Sequence, residues 1–158
     1  MTNTFSAAQN GKAITSKKIF SRQTSVSTSI RADASIIWAL LTNAVDFSRW
    51  NSTVISVEGN IAPGETIRLR SVLDAKRLFK LKVKEFVPGQ KLTWGDTMGK
   101  RDYLLENGPG GTTLFSMTEK IGGPLFPLFA KMIPSFDRSF EQFAADLKKE
   151  AESIMNAR

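Results

Sequence analysis

The last third of the chain carries an apolar stripe at helical spacing, and this stripe limits the possible folds more than any other feature. Its side chains recur at intervals of three or four residues, whereas Lys131, Arg138 and Lys148 occupy other faces. The members are Phe129, Ile133, Phe136, Phe140, Phe143, Leu147, Ala151 and Ile154. Pro134 removes a backbone donor, so we expect the regular helix to start or kink near it. Such a helix must bury its stripe against another layer of the fold.

Short runs of alternating apolar and polar residues precede this helix, and turn residues separate one run from the next. The clearest run spans residues 76–87, where Phe79, Leu81 and Val83 alternate with lysines. Pairs such as Pro88-Gly89 mark the turns, and strands joined by turns this short are antiparallel neighbours. The predicted strands are residues 23–31, 53–58, 65–73, 76–87, 91–98, 101–106 and 112–119.

Two short helices are predicted between the first strand and the second. One spans residues 34–41 after Asp33, a favoured N-cap residue, and the other spans residues 46–49. Residues 1–20 are polar and lack sustained periodicity, so we expect a flexible N-terminal lead-in there. A chain of 158 residues can bury its apolar side chains in one core, so residues 21–158 are predicted to form a single α+β domain.

The chain contains neither cysteine nor histidine, and these absences exclude many kinds of active site. Disulfides, thiolate nucleophiles and iron–sulfur ligation require Cys, whereas a Ser-His-Asp triad and histidine-bound metals require His. We therefore expect neither a metal nor another cofactor. No apolar stretch approaches the roughly 20 residues of a membrane-spanning helix. The N-terminus also lacks the apolar core of a secretory signal, so we predict a cytoplasmic protein.

The net charge of +7 has two interpretations. Basic residues often alternate with apolar ones, as in Arg68-Leu69-Arg70 and along residues 80–84, which is typical of the solvated face of a half-buried strand. This interpretation predicts no nucleic-acid partner. The alternative is a basic stripe that binds phosphate groups, and such binding would weaken steeply with salt.

Several short pieces of sequence, taken in order, resemble one known superfamily. The pieces are Ile37-Trp38, Trp50-Asn51, Val57-Glu58-Gly59, residues 87–94, residues 110–114 and Gly123-Pro124-Leu125. Residues 23–153 thereby resemble the START-like superfamily, also called SRPBCC, which includes birch-pollen-allergen relatives and the polyketide cyclase/dehydrase group. The resemblance implies a helix-grip fold, in which a curved antiparallel sheet of about seven strands wraps around a long C-terminal helix. It also implies a cavity that in various members holds lipids, sterols, polyketides or other apolar ligands.

The candidate ligand-binding residues are those that the pattern turns toward the interface between sheet and helix. They are Leu69, Phe79, Leu81, Trp94, Tyr103 and Met117 on the strands, and Phe129, Ile133, Phe136 and Phe140 on the helical segment. Plain core packing is the alternative for each of them. Trp38 and Trp50 are further candidates, because a buried indole needs a partner for its N–H group and broad aromatic faces often line pockets.

Polar side chains aimed into such a cavity would orient a ligand, and the candidates are Asp96, Arg101, Tyr103 and Glu119. Asp96 follows Trp94 in phase, which turns it inward. Alternatively, Asp96 reaches water near the strand end and pairs with Arg101 across the turn. The sequence assigns no catalytic residue.

Three functions stay open on these observations. The first is binding or carriage of a hydrophobic small molecule, such as a lipid or a polyketide, between the sheet and the C-terminal helix. The second is a cyclase/dehydrase-like enzyme that acts without His or Cys. The third is a peripheral membrane or protein-interaction module that uses the basic surface and residues 126–132.

Overall fold

The computed structural model describes residues 10–158, and an eight-stranded antiparallel sheet is the largest element. The strands are β1 Ile14–Lys17, β2 Ser21–Ile30, β3 Val54–Glu58, β4 Thr66–Ser71, β5 Asp74–Val87, β6 Lys91–Gly95, β7 Gly99–Asn107 and β8 Thr113–Gly122. Their order in the sheet is β1, β2, β8, β7, β6, β5, β4, β3. The strands from β3 to β8 are thus consecutive antiparallel neighbours, as the short turns predict, whereas β2 pairs with the last strand.

Four α-helices accompany the sheet within residues 10–158. Helices α1 (Ala34–Thr42) and α2 (Phe47–Trp50) connect β2 to β3, close to the predicted positions. After β8 come the short helix α3 (Phe126–Phe129), a single 3-10 turn (Ala130–Met132) and the long helix α4 (Asp137–Asn156). No helix among residues 10–158 combines the length and apolar character needed to cross a membrane.

The long helix α4 packs its apolar stripe against the inner face of the sheet. It begins shortly after Pro134, as expected from the missing backbone donor of that residue. Its buried side chains are Phe140, Phe143, Ala144, Leu147 and Ala151. A curved antiparallel sheet around a C-terminal helix is the predicted α+β helix-grip fold, and the structure confirms it.

The structure differs from the sequence prediction near the N-terminus. Residues within the expected lead-in form β1, which pairs with residues 22–25 of β2. The sheet therefore has eight strands rather than about seven. The pattern missed β1 because Ile14 is the one apolar residue of this four-residue strand, and its side chain is itself exposed. Residues 1–9 of the expected lead-in lie outside the described part of the chain.

Antiparallel pairing brings alternate strand ends together at one end of the sheet, which we call the open end. Strands β2, β3, β5 and β7 begin there, whereas β1, β4, β6 and β8 end there. Strand β5 extends furthest, because β6 ends opposite Lys82 and residues 74–81 face only β4. The inward side chains of Phe79 and Leu81 on this extension are only half-buried, so the inner face is incompletely covered at this end.

An aromatic cluster centred on Phe143 of α4 fills the middle of the interior. Four ring centres lie around that of Phe143, at 6.0 Å for Phe47, 5.9 Å for Trp50, 5.8 Å for Tyr103 and 6.2 Å for Phe115. All five side chains are buried. The cluster joins α2 and α4 to the central strands β7 and β8.

Gly95, the last residue of β6, lies where the backbone of β7 approaches most closely. A Cβ atom at this position would overlap the carbonyl oxygen of Gly99 and lie 3.0 Å from the Cα of Lys100. We expect Gly95→Ala to lower the free energy of unfolding by about 1–3 kcal/mol, because backbone atoms must move. Gly99→Ala is the matched control, since its Cβ would have its nearest contacts at 3.6 Å. Urea denaturation measures both, and equal losses would contradict the steric explanation.

Candidate ligand-binding site

An arginine and a glutamate face each other on the inner face of the sheet near the open end. Arg101 of β7 and Glu119 of β8 are paired in register, close to the ends of their strands. The Nε group of Arg101 donates a hydrogen bond to Oε1 of Glu119 at 3.2 Å. Each side chain is 18% exposed. The ion pair thus lies within the fold but within reach of water at the open end.

The guanidinium of Arg101 also contacts the long helix. Its carbon atom lies 5.0 Å from the centre of the Phe140 ring, a distance at which a cation is attracted to the aromatic face. Among the described residues, Nε is the one side-chain N–H group of Arg101 with a hydrogen bond of ordinary geometry, and the Tyr103 hydroxyl adds a weaker contact. The terminal nitrogens therefore remain available to an acceptor from outside the chain.

Tyr103 adds a hydroxyl group to this ion pair. Its side chain is 1% exposed, and its hydroxyl has no hydrogen-bond partner of ordinary geometry among the described residues. The Tyr103 ring lies edge-to-face against Trp94, with ring centres 5.0 Å apart. A buried hydroxyl without a partner is destabilising, so its presence here is a feature that packing alone does not explain.

Burial and charge shift the pKa values of these groups. Burial raises the pKa of Tyr103 to about 12, and the positive charge of Arg101 and its weak hydrogen bonding to the Tyr103 oxygen offset only part of this effect. Burial alone would lower the pKa of Arg101, but the Glu119 carboxylate raises it above its usual value. Tyr103 is therefore a neutral donor and Arg101 a fixed cation at physiological pH.

The titration of Tyr103 can be followed directly, because it is the one tyrosine of the chain. We expect its phenolate absorbance to appear with a pKa of about 12 in the folded protein, against 10.0 for an ordinary tyrosine. Because the pKa is higher in the folded than in the unfolded protein, this titration leaves the free energy of unfolding unchanged below pH 10. The free energy of unfolding then falls as the pH rises from 10 toward 12. A pKa near 10.0 in protein that circular dichroism shows to be folded would contradict burial of this hydroxyl.

Arg22 of β2 fixes the segment that leads into α4. Its side chain is buried, and its two terminal nitrogens donate to the carbonyl oxygens of Ile133 at 3.2 Å and Pro134 at 2.8 Å. The guanidinium also lies 4.7 Å from the centre of the Phe136 ring. Arg22 is not among the predicted site residues, although it is in phase with the buried Thr24, and a charged residue at an inward position of a strand is the signal that marks it.

Ten of the predicted ligand-binding residues are buried or half-buried, and seven of them belong to or pack against the core between sheet and helix: Leu69, Leu81, Trp94, Tyr103, Met117, Phe136 and Phe140. Leu69, Trp94, Tyr103, Met117 and Phe140 are buried there. Phe79, Leu81, Phe129, Ile133 and Phe136 are half-buried. The half-buried set belongs to the extension of β5 and to the segment from α3 to the start of α4, so the incompletely covered surface lies at the open end.

The other two tryptophans lie elsewhere. Trp38 of α1 packs edge-to-face on Phe86 with ring centres 5.1 Å apart, near the end of the sheet opposite the ion pair. Trp50 packs against Phe47 and Phe143 in the core, and its buried Nε1 group has no hydrogen-bond partner among the described residues.

Asp96 does not join the polar group, and it does not pair with Arg101. Strand β6 ends at Gly95, so the alternation that would turn Asp96 inward stops before this residue. Its Oδ1 instead accepts hydrogen bonds from the backbone N–H groups of Met98 at 2.8 Å and Gly99 at 2.9 Å. Asp96 therefore stabilises the turn between β6 and β7, and Glu119 is the partner of Arg101.

Two depressions lie on the outside of the fold rather than between sheet and helix. One of about 400 Å³ is bordered by residues 10–12 and by Arg138 and Glu141 of α4. The other, of about 180 Å³, is bordered by β1, β2 and Lys120. Neither contains any of the predicted ligand-binding residues. In this conformation the aromatic cluster occupies the middle of the interior, and the polar group lies beside it.

A sheet that wraps around a C-terminal helix, with a polar group set into an apolar inner face, defines a helix-grip protein. Residues 21–152 match the model of the family described as polyketide cyclase / dehydrase and lipid transport. The chain belongs to this family, which confirms the resemblance to the START-like superfamily. A search of curated proteins found no match.

Solved structures support the same fold. A conserved protein of unknown function from Enterococcus faecalis, EF2215, is 14% identical with a TM-score of 0.67, over 92% of this chain and 80% of that one. A START superfamily protein from Mycobacterium smegmatis is 15% identical with a TM-score of 0.61, over 84% and 98%. DynU16, a putative protein in the dynemicin biosynthetic locus, is also 15% identical with a TM-score of 0.62, over 86% of this chain and 49% of that one.

Proposed function

We propose that the protein binds a hydrophobic small molecule that carries an acceptor oxygen, such as a fatty acid or an oxygenated polyketide. The observation that supports this proposal most directly is the Tyr103 hydroxyl, which has no hydrogen-bond partner of ordinary geometry and lies beside the Arg101–Glu119 pair in an otherwise apolar inner face. Membership of a family described by polyketide chemistry and lipid transport supports the hydrophobic part of the ligand. The polar group supports the acceptor oxygen.

Each residue of the polar group has a distinct task in this proposal. The terminal nitrogens of Arg101 and the hydroxyl of Tyr103 donate to the acceptor oxygen, since neither has a hydrogen-bond partner of ordinary geometry in the described chain and the weak contact between the two gives way to the ligand. Glu119 holds the guanidinium through Nε and keeps the site neutral overall before the ligand binds. The half-buried rings of Phe79 and Phe136 contact the apolar body of the ligand.

Space for the ligand arises at the open end, because the aromatic cluster fills the middle of the interior. The segment from Phe126 to Phe136 covers this end, and its Phe129 and Ile133 side chains are only half-buried. The hydrogen bonds from Arg22 hold the C-terminal part of the segment. A shift of its N-terminal part away from the sheet admits the ligand while α4 stays in place.

Fluorescence titration with cis-parinaric acid, an apolar chain with a carboxylate, tests the proposal. We expect saturable binding at one site per protein, and displacement by palmitic acid. Absence of saturable binding would refute the proposed function.

The variant Tyr103→Phe separates binding from stability. It removes a buried hydroxyl that has no hydrogen-bond partner of ordinary geometry, so we expect the free energy of unfolding to rise by up to about 1 kcal/mol. It also removes a donor to the ligand, so binding of cis-parinaric acid should weaken several-fold. Ser116→Ala is the control, because its hydroxyl bonds to Ser27 on the outer face. Equal affinities of Tyr103→Phe and the unmodified protein would place the ligand's oxygen elsewhere.

A second candidate function is acid–base catalysis, and the convergence of Glu119, Arg101 and Tyr103 favours it. A carboxylate beside a neutral phenol can enolise a ketone. The carboxylate takes a proton from the carbon next to the carbonyl, the electron pair of that C–H bond forms a C=C bond, and the carbonyl π pair moves to the oxygen. The phenol hydrogen-bonds to the resulting enolate. Asp96, which lies in the turn, has no part in this reaction.

Deuterium exchange into acetophenone in heavy water tests this second candidate. We expect the protein to accelerate exchange of the methyl protons, and Glu119→Gln to abolish the acceleration. If the methyl protons exchange no faster with the protein than in buffer alone, although the protein binds cis-parinaric acid, catalysis is ruled out and binding remains as the function.

A further inference from the structure

Large apolar side chains project into solvent at the open end. The turn between β1 and β2 exposes Ile19 and Phe20, the turn between β4 and β5 exposes Val72, and the turn between β6 and β7 exposes Met98. The segment after β8 exposes Leu128 (79%) and Met132 (82%). Single exposed apolar residues are ordinary on a protein surface, but a group of them at one end has a use.

Backbone hydrogen bonds show that three of these elements are direct neighbours. The N–H group of Gly123 donates to the carbonyl oxygen of Phe20 at 3.0 Å, and the N–H group of Gly122 donates to that of Met98 at 3.0 Å. The β1–β2 turn, the β6–β7 turn and the start of the segment leading to α4 therefore form one continuous surface.

The segment around α3 presents apolar residues on two faces. Phe126 is 3% exposed and packs edge-to-face with Phe129, which fixes the inward face. Leu125, Leu128 and Met132 are all exposed, so this segment also presents apolar side chains to solvent. Folding requires only the inward face, so the outward residues are not explained by the stability of the domain.

Basic residues surround these apolar side chains. Three lysines lie in one row across the outer face close to the open end. Lys120 is paired with Lys100 on the neighbouring strand, and Gly95 of β6 lies between Lys100 and Lys82 in the same row. In segments 17–20, 71–80, 96–100 and 120–133 there are eight basic residues and two acidic ones. The basic residues are Lys17, Lys18, Lys76, Arg77, Lys80, Lys100, Lys120 and Lys131, and the acidic ones are Asp74 and Asp96.

We propose that the open end docks on a bilayer that contains anionic lipids. Apolar side chains at the tips of turns enter the boundary between headgroups and acyl chains, while lysines set slightly back from the tips meet the anionic headgroups. The excess of positive charge selects a negatively charged surface over a neutral one. The inference goes beyond the proposed function, and it stands whether or not the interior binds a ligand.

Co-sedimentation with vesicles tests the inference. We expect the protein to bind vesicles of phosphatidylcholine mixed with phosphatidylglycerol at low salt, and to bind pure phosphatidylcholine vesicles at least tenfold less. Raising the salt concentration should weaken the binding, because it screens the lysines. Absence of binding to the mixed vesicles at low salt would overturn the inference.

Two pairs of variants assign the contact to the open end. Leu128→Ser with Met132→Ser should weaken binding by about tenfold or more, since each exposed side chain loses its burial in the membrane. Lys82→Gln with Lys120→Gln should weaken it by a similar factor. The matched controls are Val45→Ser, in the loop between α1 and α2, and Lys149→Gln, on α4, which remove an exposed apolar group and an exposed charge elsewhere. Equal losses in variants and controls would show non-specific attraction and overturn the inference.

Site-directed labelling gives an independent test, because the chain has no cysteine. A polarity-sensitive fluorophore attached to Leu128→Cys should shift its emission to shorter wavelength when mixed vesicles are added, whereas the same fluorophore on Val45→Cys should not. A shift at position 128 that depends on protein concentration and not on vesicles would indicate a contact between two copies of the chain and overturn the membrane assignment.

Discussion

Replacing Phe143 by alanine is expected to lower the free energy of unfolding by about 3–5 kcal/mol. The Phe143 ring contacts Phe47, Trp50, Tyr103 and Phe115, so its removal leaves a cavity bounded by four rigid rings that cannot collapse easily. The free energy of unfolding of an ordinary domain is about 5–15 kcal/mol, so the variant should unfold at a much lower urea concentration. Circular dichroism during urea denaturation measures the change.

Phe20→Ala is the matched control for this prediction. The same side chain is removed, but Phe20 is 57% exposed and no ring packs around it in the described chain. We expect its free energy of unfolding to change by less than about 0.5 kcal/mol. If Phe143→Ala were as mild as Phe20→Ala, the aromatic cluster would not be the centre of the core.

Arg101→Met is expected to cost about 1–3 kcal/mol of stability. The substitution leaves the Glu119 carboxylate in the interior without its partner, and uncompensated buried charges are strongly destabilising. Exposure of 18% lets water reach Glu119, so we expect less than the full effect of a completely buried pair. Lys91→Met is the control, because it breaks the exposed pair between Lys91 and Glu85 and should change stability by at most about 1 kcal/mol.

The double variant Arg101→Met/Glu119→Leu distinguishes a structural role of the ion pair from a role in ligand binding. Replacement of both charges by apolar groups should recover most of the lost stability, since no charge is left unpaired. Binding of cis-parinaric acid should nevertheless stay at least tenfold weaker, because the donors to its carboxylate are gone. A double variant that is stable and binds as well as the unmodified protein would show that the pair serves only the fold.

Local patterns predicted most of the fold. The stripe that contains Phe140 and Phe143 predicted α4 and its burial, because helical spacing is visible within a few turns. The alternation around Val83 predicted the longest strand, and Pro134 predicted where the helix begins. Strand β1 could not be predicted in this way, because Ile14 is its one apolar residue and its pairing with β2 is a tertiary contact.

The candidate site was only partly predictable, because it depends on register between strands. Phase along β7 placed Tyr103 inward and made Arg101 a candidate, but no local pattern shows that Glu119 lies directly opposite Arg101. Asp96 was misplaced because its predicted strand ended too late. The covering segment depends on Arg22, whose acceptors at positions 133 and 134 are more than a hundred residues distant in sequence.

The pairing of β2 with β8 has a consequence for how the chain folds during synthesis. Ser21 pairs with Gly122, and Ile30 pairs with Thr113, so the first long strand has no strand partner but the short β1 until the last strand has been made. Strands β3 to β7 can meanwhile form their local hairpins, while α4, made last of all, cannot yet cover them. Closure between distant parts of a chain is slow, so the apolar faces of these strands stay exposed until β8 and α4 have been made. We therefore expect a chaperone that shields these strands during translation to raise the yield of folded protein.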